Sequence, residues 1–144
     1  MIRHGDAADV EAIAELEHEV FGADAWNANQ VAADMEPPLR HVVVAETDGV
    51  LVGYAAIAIA GDVADLLRIA VRVASRRMGV ASDLLGHVER LAGQAGADRM
   101  MLEVAASNEG AQGFYRSRGY GEIARRRGYY AGGGDALVLG RALG

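Results

Sequence analysis

Cysteine is absent from the 144 residues. This excludes disulfides, thiolate metal sites and any thioester carried on the protein itself. Long hydrophobic runs are also missing. The longest, Val50 to Ala60, is broken by Gly53 and falls far short of the ~20 apolar residues that cross a bilayer. The opening MIRHGDAADV has no apolar stretch of the signal-peptide kind. Positive charge is in deficit, with fourteen basic against twenty acidic side chains and a formal charge of −6. A general nucleic-acid coat is therefore not expected, because that affinity needs cations facing phosphates. The histidines, His4, His18, His41 and His87, form no pair at helical metal spacing, so no metal is expected. The expectation is one soluble, cytoplasmic domain over residues 1–144, away from membranes and nucleic acid.

Enough is present for a core, since 51% of the residues are hydrophobic. Asp6 can cap a helix bearing Val10, Ile13, Leu16 and Val20 on one side. A second helix is predicted from about Asn27 to Met35, stopped by Pro37-Pro38. The period then changes to that of strands. HVVVAE (His41 to Glu46) and VLVGYAAIAIA (Val50 to Ala60) flank Thr47-Asp48-Gly49, a hairpin turn. A third strand is placed over about Val63 to Val71. Helical spacing from Val80 ends near Gly96, and MMLEVA (Met100 to Ala105) is the next strand. Asn108 can cap a short helix ending near Gly119, which Gly110 and Gly113 weaken. Two strands flank Gly132-Gly133-Gly134. The order predicts an α/β (α+β) single domain, a mixed central sheet flanked by helices.

The junction SRRMGVASDLL, Ser75 to Leu85, follows the strand LLRIAV and opens a helix. Unpaired N–H groups at a helix start suit a phosphate, and glycine lets it approach. Arg76 and Arg77 add positive charge, and Gly79, Val80, Ala81 and Ser82 would donate N–H groups; Asp83 opposes. An exposed basic turn explains the same residues equally well. The junction is neither a P-loop nor a dinucleotide fingerprint.

The run Arg76-Arg77-Met78-Gly79-Val80-Ala81 resembles the acetyl-coenzyme A motif of the GNAT superfamily of N-acetyltransferases, Arg/Gln-x-x-Gly-x-Gly/Ala. LEVAASNEGAQGFYRSRGY (Leu102 to Tyr120) is similar to the second half of that fold. RRRGYYAGGGDALVL (Arg125 to Leu139) and FGADAW (Phe21 to Trp26) resemble its RimI-type branch, the ribosomal-protein-alanine acetyltransferases. The resemblance spans most of the chain. It implies the GNAT fold, acetyl-CoA as cosubstrate, and direct transfer to a protein N-terminus, the alanine of a small-subunit ribosomal protein. Two other readings stay open: a GNAT acting on a small amine or a lysine side chain, and a coenzyme-A-binding regulatory module without turnover.

Roles follow residue by residue. On its strand, Glu103 faces away from Leu102 and Val104; spacing leaves a surface glutamate and a general base equally open, and the resemblance favours the base. Tyr115 reads from sequence as one of a packed pair with Phe114, whereas the resemblance makes its hydroxyl the acid for the departing thiolate. Asn108 is a helix cap that the resemblance also makes a coenzyme contact. The resemblance further assigns Ile69, Ala70 and Val71 as N–H donors to the acetyl carbonyl. It places Trp26, Tyr129, Tyr130 and Asp135 around the acceptor, where packing and a turn account for them as well. Arg125 to Arg127 read as a solvated strand edge. A peptide α-amine, with a pKa of about 7.7 to 8.0, is roughly one-tenth neutral at pH 7; lysine is neutral about once in a few thousand. One modest base therefore serves an α-amine.

Overall fold

The fold is taken from a computed structural model that describes residues 1–33, 35, 39–130 and 133–144. Pro37, Pro38 and Gly132 lie outside the described residues. Among the described residues, seven strands form one sheet in the order β1-β2-β3-β4-β5-β7-β6. These are β1 (Ile2–His4), β2 (Arg40–Thr47), β3 (Val50–Ala60), β4 (Val63–Val71), β5 (Arg99–Ala105), β6 (Gly121–Arg126) and β7 (Ala136–Ala142). Only β4 and β5 run parallel; the other neighbours are antiparallel. The helices are α1 (Val10–Phe21), α2 (Ala28–Ala33), α3 (Val80–Gln94) and α4 (Glu109–Ser117).

Local chemistry sets these boundaries. Asp6 accepts from the Ala8 N–H, and Asp9 answers with a bond from the Asp6 N–H, which closes a capping box ahead of α1. Asn27 and Gln30 cap α2 in the same reciprocal way. Asp48 and Gly49 both take positive φ, 53° and 78°, as the tight β2–β3 turn requires. The sequence pattern misses β1. Three residues are too few to show alternation, and the strand is held by pairing Ile2 with Ala45 and His4 with Val43.

The sheet separates two apolar clusters. On one face α1 and α2 bury Ile13, Leu16 and Val31 against Val42, Val44, Tyr54 and Ala70. On the other, α3 and α4 bury Leu84, Leu85, Val88 and Tyr115 against Val43, Ala55, Ile57 and Met100. Each Val, Leu, Ile or Met among them contributes about 1.5–3 kcal/mol when fully buried. β6 is exposed along its whole length, in keeping with a solvated edge for the arginine run.

Candidate active site

β4 and β5 pair only at Val63–Arg99, Ala64–Met100 and Asp65–Met101. β4 stays with β3 as far as Val71, and β5 stays with β7 as far as Ala105. Past Asp65 the two strands therefore part. The Arg72 N–H bonds the Val52 carbonyl, so alternation along β4 turns the Ala70 N–H toward β3 as well. Ile69 and Val71 present theirs to the gap.

At the end of that gap β4 hands over to α3. Gly79 takes φ +80° as the α3 N-cap, and no side chain caps the helix. Among the described residues its first N–H groups have no side-chain acceptor, the condition that suits an anion. Arg77 also holds a positive φ, 68°, which is strained for a residue with a Cβ. Arg76, Arg77, Gly79, Val80, Ala81 and Ser82 line one recess of about 220 Å³ together with Val71, Ser75 and Phe114. Met78 projects outward, 74% exposed. Arg118 of the α4 C-terminus bonds the Ser82 hydroxyl, which links α3 to α4. The donor set, backbone N–H groups with two guanidinium groups at hand, fits a pyrophosphate.

The Asn108 side chain accepts from the Ala111 N–H at 3.1 Å and so acts as the α4 cap. Gln112, which sequence reasoning passed over, ties α4 to the end of β5 by donating to the Ala105 and Ala106 carbonyls at 3.1 and 2.8 Å. These bonds offset Gly110 and Gly113. The Tyr115 ring is buried edge-on between Phe114 and Tyr120, with centroids at 5.2 and 5.8 Å. Burial pushes its phenol up to about 12. Phe114, not Tyr115, faces the α3 recess.

The other side of the gap is an acidic cleft of about 410 Å³, lined among others by Asp65, Leu67, Met101, Glu103 and Tyr129. Arg126 on β6 reaches across β7 to Glu103, with Nη1 2.7 Å from Oε1. Its guanidinium also lies over the Tyr129 ring, 4.1 Å from the centroid. Asp65, a second carboxylate missed from sequence, has its proton affinity raised by burial and then by the charge of Glu103. Alternation on β4 was the available signal. Asp135 is committed to the turn: it accepts from the Gly128 N–H and from Arg125, both at 2.9 Å, which holds it below the usual carboxylate range. It thereby braces the loop carrying Tyr129 and Tyr130, whose rings meet edge-on at 5.1 Å. Tyr130 lines a neighbouring recess with Ser107, Gly134 and Asp135. Trp26 stands on the α1–α2 loop, packed on the same face of the sheet as Leu67.

The sequence profile of the acetyltransferase (GNAT) family matches residues 8–120. The chain belongs to this family. GNAT members use acetyl-CoA as donor, and this chain is an acetyltransferase. A Mycobacterium tuberculosis relative, the N-alpha-acetyltransferase RimI, is 34% identical over 143 residues, covering 95% of this chain and 89% of its own. The crystal structure of the Escherichia coli ribosomal-protein-S18-alanine N-acetyltransferase superposes with a TM-score of 0.91 at 26% identity, over 99% of this chain and 93% of that one. An aminoglycoside 6′-N-acetyltransferase complexed with coenzyme A shares the fold, with a TM-score of 0.90 at 16% identity over 99% and 97% of the two chains. Among the described residues of this GNAT chain, no helix is long and apolar enough to cross a membrane.

Proposed function

We propose that the protein transfers the acetyl group of acetyl-CoA to a peptide α-amine, the N-terminal alanine of a small-subunit ribosomal protein, by direct attack. The carrying observation is the course of β4: it lines the Gly79 recess through Val71 and the acidic cleft through Asp65 and Leu67. A thioester laid along the parted strands would thus run from the phosphate site toward Glu103. The names of the relatives support an α-amine acceptor.

Gly79 to Ser82, with Arg76 and Arg77, hold the pyrophosphate, and Met78 borders it from outside. Asn108 supplies its amide N–H groups while its oxygen caps α4. Glu103 takes the proton of the attacking amine, directly or through water. Ile69 and Val71 donate N–H groups to the carbonyl oxygen as charge develops on it, beside Ala70. Tyr115 gives its proton to the leaving sulfur. A phenol at about 12 is a weaker acid than an ordinary one against a thiol near 8.5. A thiolate brought into the same low-dielectric surroundings would have its proton affinity raised as well, which would narrow the gap. Trp26, Tyr129 and Tyr130 wall the acceptor groove, and Asp135 holds the tyrosine loop in place.

The test uses purified protein, labelled acetyl-CoA and an acceptor panel: peptides with N-terminal alanine or serine, an N-blocked lysine peptide, and small amines. Label on N-terminal alanine is expected. Label confined to lysine or small amines overturns the α-amine assignment, and no label on any acceptor, with coenzyme A bound, would mark a regulatory module.

A further inference from the structure

Glu17 is a charged side chain with no solvent exposure at all, and it belongs to none of the groups that hold or protonate substrate. Its oxygens accept from the Trp26 N–H at 2.9 Å, the Tyr54 hydroxyl, and the Arg68 guanidinium at 3.0 to 3.3 Å. Arg68 in turn donates to the Asp24 carbonyl at 2.7 Å. Its guanidinium lies against two rings, 4.0 Å from the Phe21 centroid and 4.5 Å from that of Trp26. One cation thus grips the α1–α2 loop by backbone and by ring faces, and one buried anion fixes the cation.

A β-bulge puts Arg68 there. Ala56 pairs with Arg68 and Ile57 with Leu66, which leaves Leu67 unmatched. Leu66 therefore packs with α3 while Leu67 packs with α1 and α2. Arg68 follows on the α1 side instead of being driven into the α3 core. Re-aiming a side chain next to a site is what bulges do. Leu67 itself lines the acidic cleft, so the bulge joins cleft wall and loop anchor in adjacent residues.

We propose that Arg68, locked by Glu17, is a positioning residue for acceptor recognition: it holds the Gly22–Asn27 loop so that Trp26 stands as a wall of the acceptor groove. This rests on the α-amine reading above. Arginine suits the task because its planar fork bonds and stacks at once, which lysine cannot do.

Trp26 is the only tryptophan, so its fluorescence reports the loop without any acceptor present. In Arg68→Met the emission should move to the red and acrylamide quenching should rise. The KM for an N-terminal alanine peptide should rise about tenfold, with the KM for acetyl-CoA within about twofold. Arg68→Lys should recover part of the peptide KM. Arg68→Met strands a buried carboxylate, so Glu17→Gln/Arg68→Met, which leaves no unpaired charge, is measured beside it with circular dichroism as the check of folding. Unmoved emission in a folded variant would overturn the anchor. Shifted emission with an unchanged peptide KM would overturn the role in recognition. Failure of the α-amine reading shows separately, as wild-type protein that labels no N-terminal peptide.

Discussion

Arg126 and Glu103 meet across an intervening strand, guanidinium to carboxylate at 2.7 Å, beside a cleft that Asp65 also lines. The bond fixes where the carboxylate stands, and the same guanidinium lies over the Tyr129 ring. Arg126→Met should therefore raise the KM for the peptide by about tenfold and leave acetyl-CoA binding nearly intact. An unchanged peptide KM in a folded variant would show that this ion pair takes no part in acceptor binding.

The α3 junction holds two residues at positive φ with opposite expectations. Gly79→Ala places a Cβ at φ +80° and should cost about 1 kcal/mol of stability even though nothing crowds the new atom. It should also weaken acetyl-CoA binding. Arg77→Gly relieves the same strain and should stabilise by about 1 kcal/mol while weakening binding through lost charge. Urea midpoints and calorimetric titration separate the two effects. Gly79→Ala binding at full strength would count against a backbone phosphate site.

Tyr115→Phe should lower kcat by about 10²-fold, as loss of a general acid does, and leave acetyl-CoA binding nearly intact. The pH dependence has a definite sign. Burial pushes the folded phenol up to about 12, above the unfolded value near 10. Its contribution to stability is therefore complete below pH 10 and lost as the pH rises toward 12. Urea midpoints measured from pH 9 to 11 should fall less steeply in the phenylalanine variant.

A methyl group at position 53 would sit 3.0 Å from the Ala70 carbonyl, 3.1 Å from Leu84 and 3.2 Å from Val80. Gly53→Ala should push the start of α3 off the sheet at a cost of about 1–3 kcal/mol. Because Val80 is the first residue after Gly79, acetyl-CoA affinity should drop with it. Lost stability without lost affinity would show that the recess tolerates movement of α3.

Most strands, the helices and the Asp48-Gly49 turn were legible because their signals are local: period, caps and positive-φ residues. Strand β1 was not, since its order comes from pairing with β2. The acidic cleft was half legible. Glu103 stood out through its motif, whereas Asp65 reads as an ordinary surface acid until β4 is set beside β5. Asp135 carried both meanings in sequence; here its carboxylate serves the turn. Glu17 and Arg68 are separated by 51 residues, and the bulge that joins them leaves no mark on the pattern of LLRIAV. Likewise Phe114 and Tyr115 look equivalent in sequence; the way α4 packs decides which one faces the α3 recess.

The seam between β4 and β5 bears on how long the enzyme survives in a cell. Only three residue pairs stitch one half of the sheet to the other, and a metabolite lodged between the halves would act as a clasp. At a hundred times its dissociation constant such a clasp adds about 2.7 kcal/mol. Proteolytic lifetime should then follow acetyl-CoA supply, so that a starved cell loses this catalyst sooner than a well-fed one.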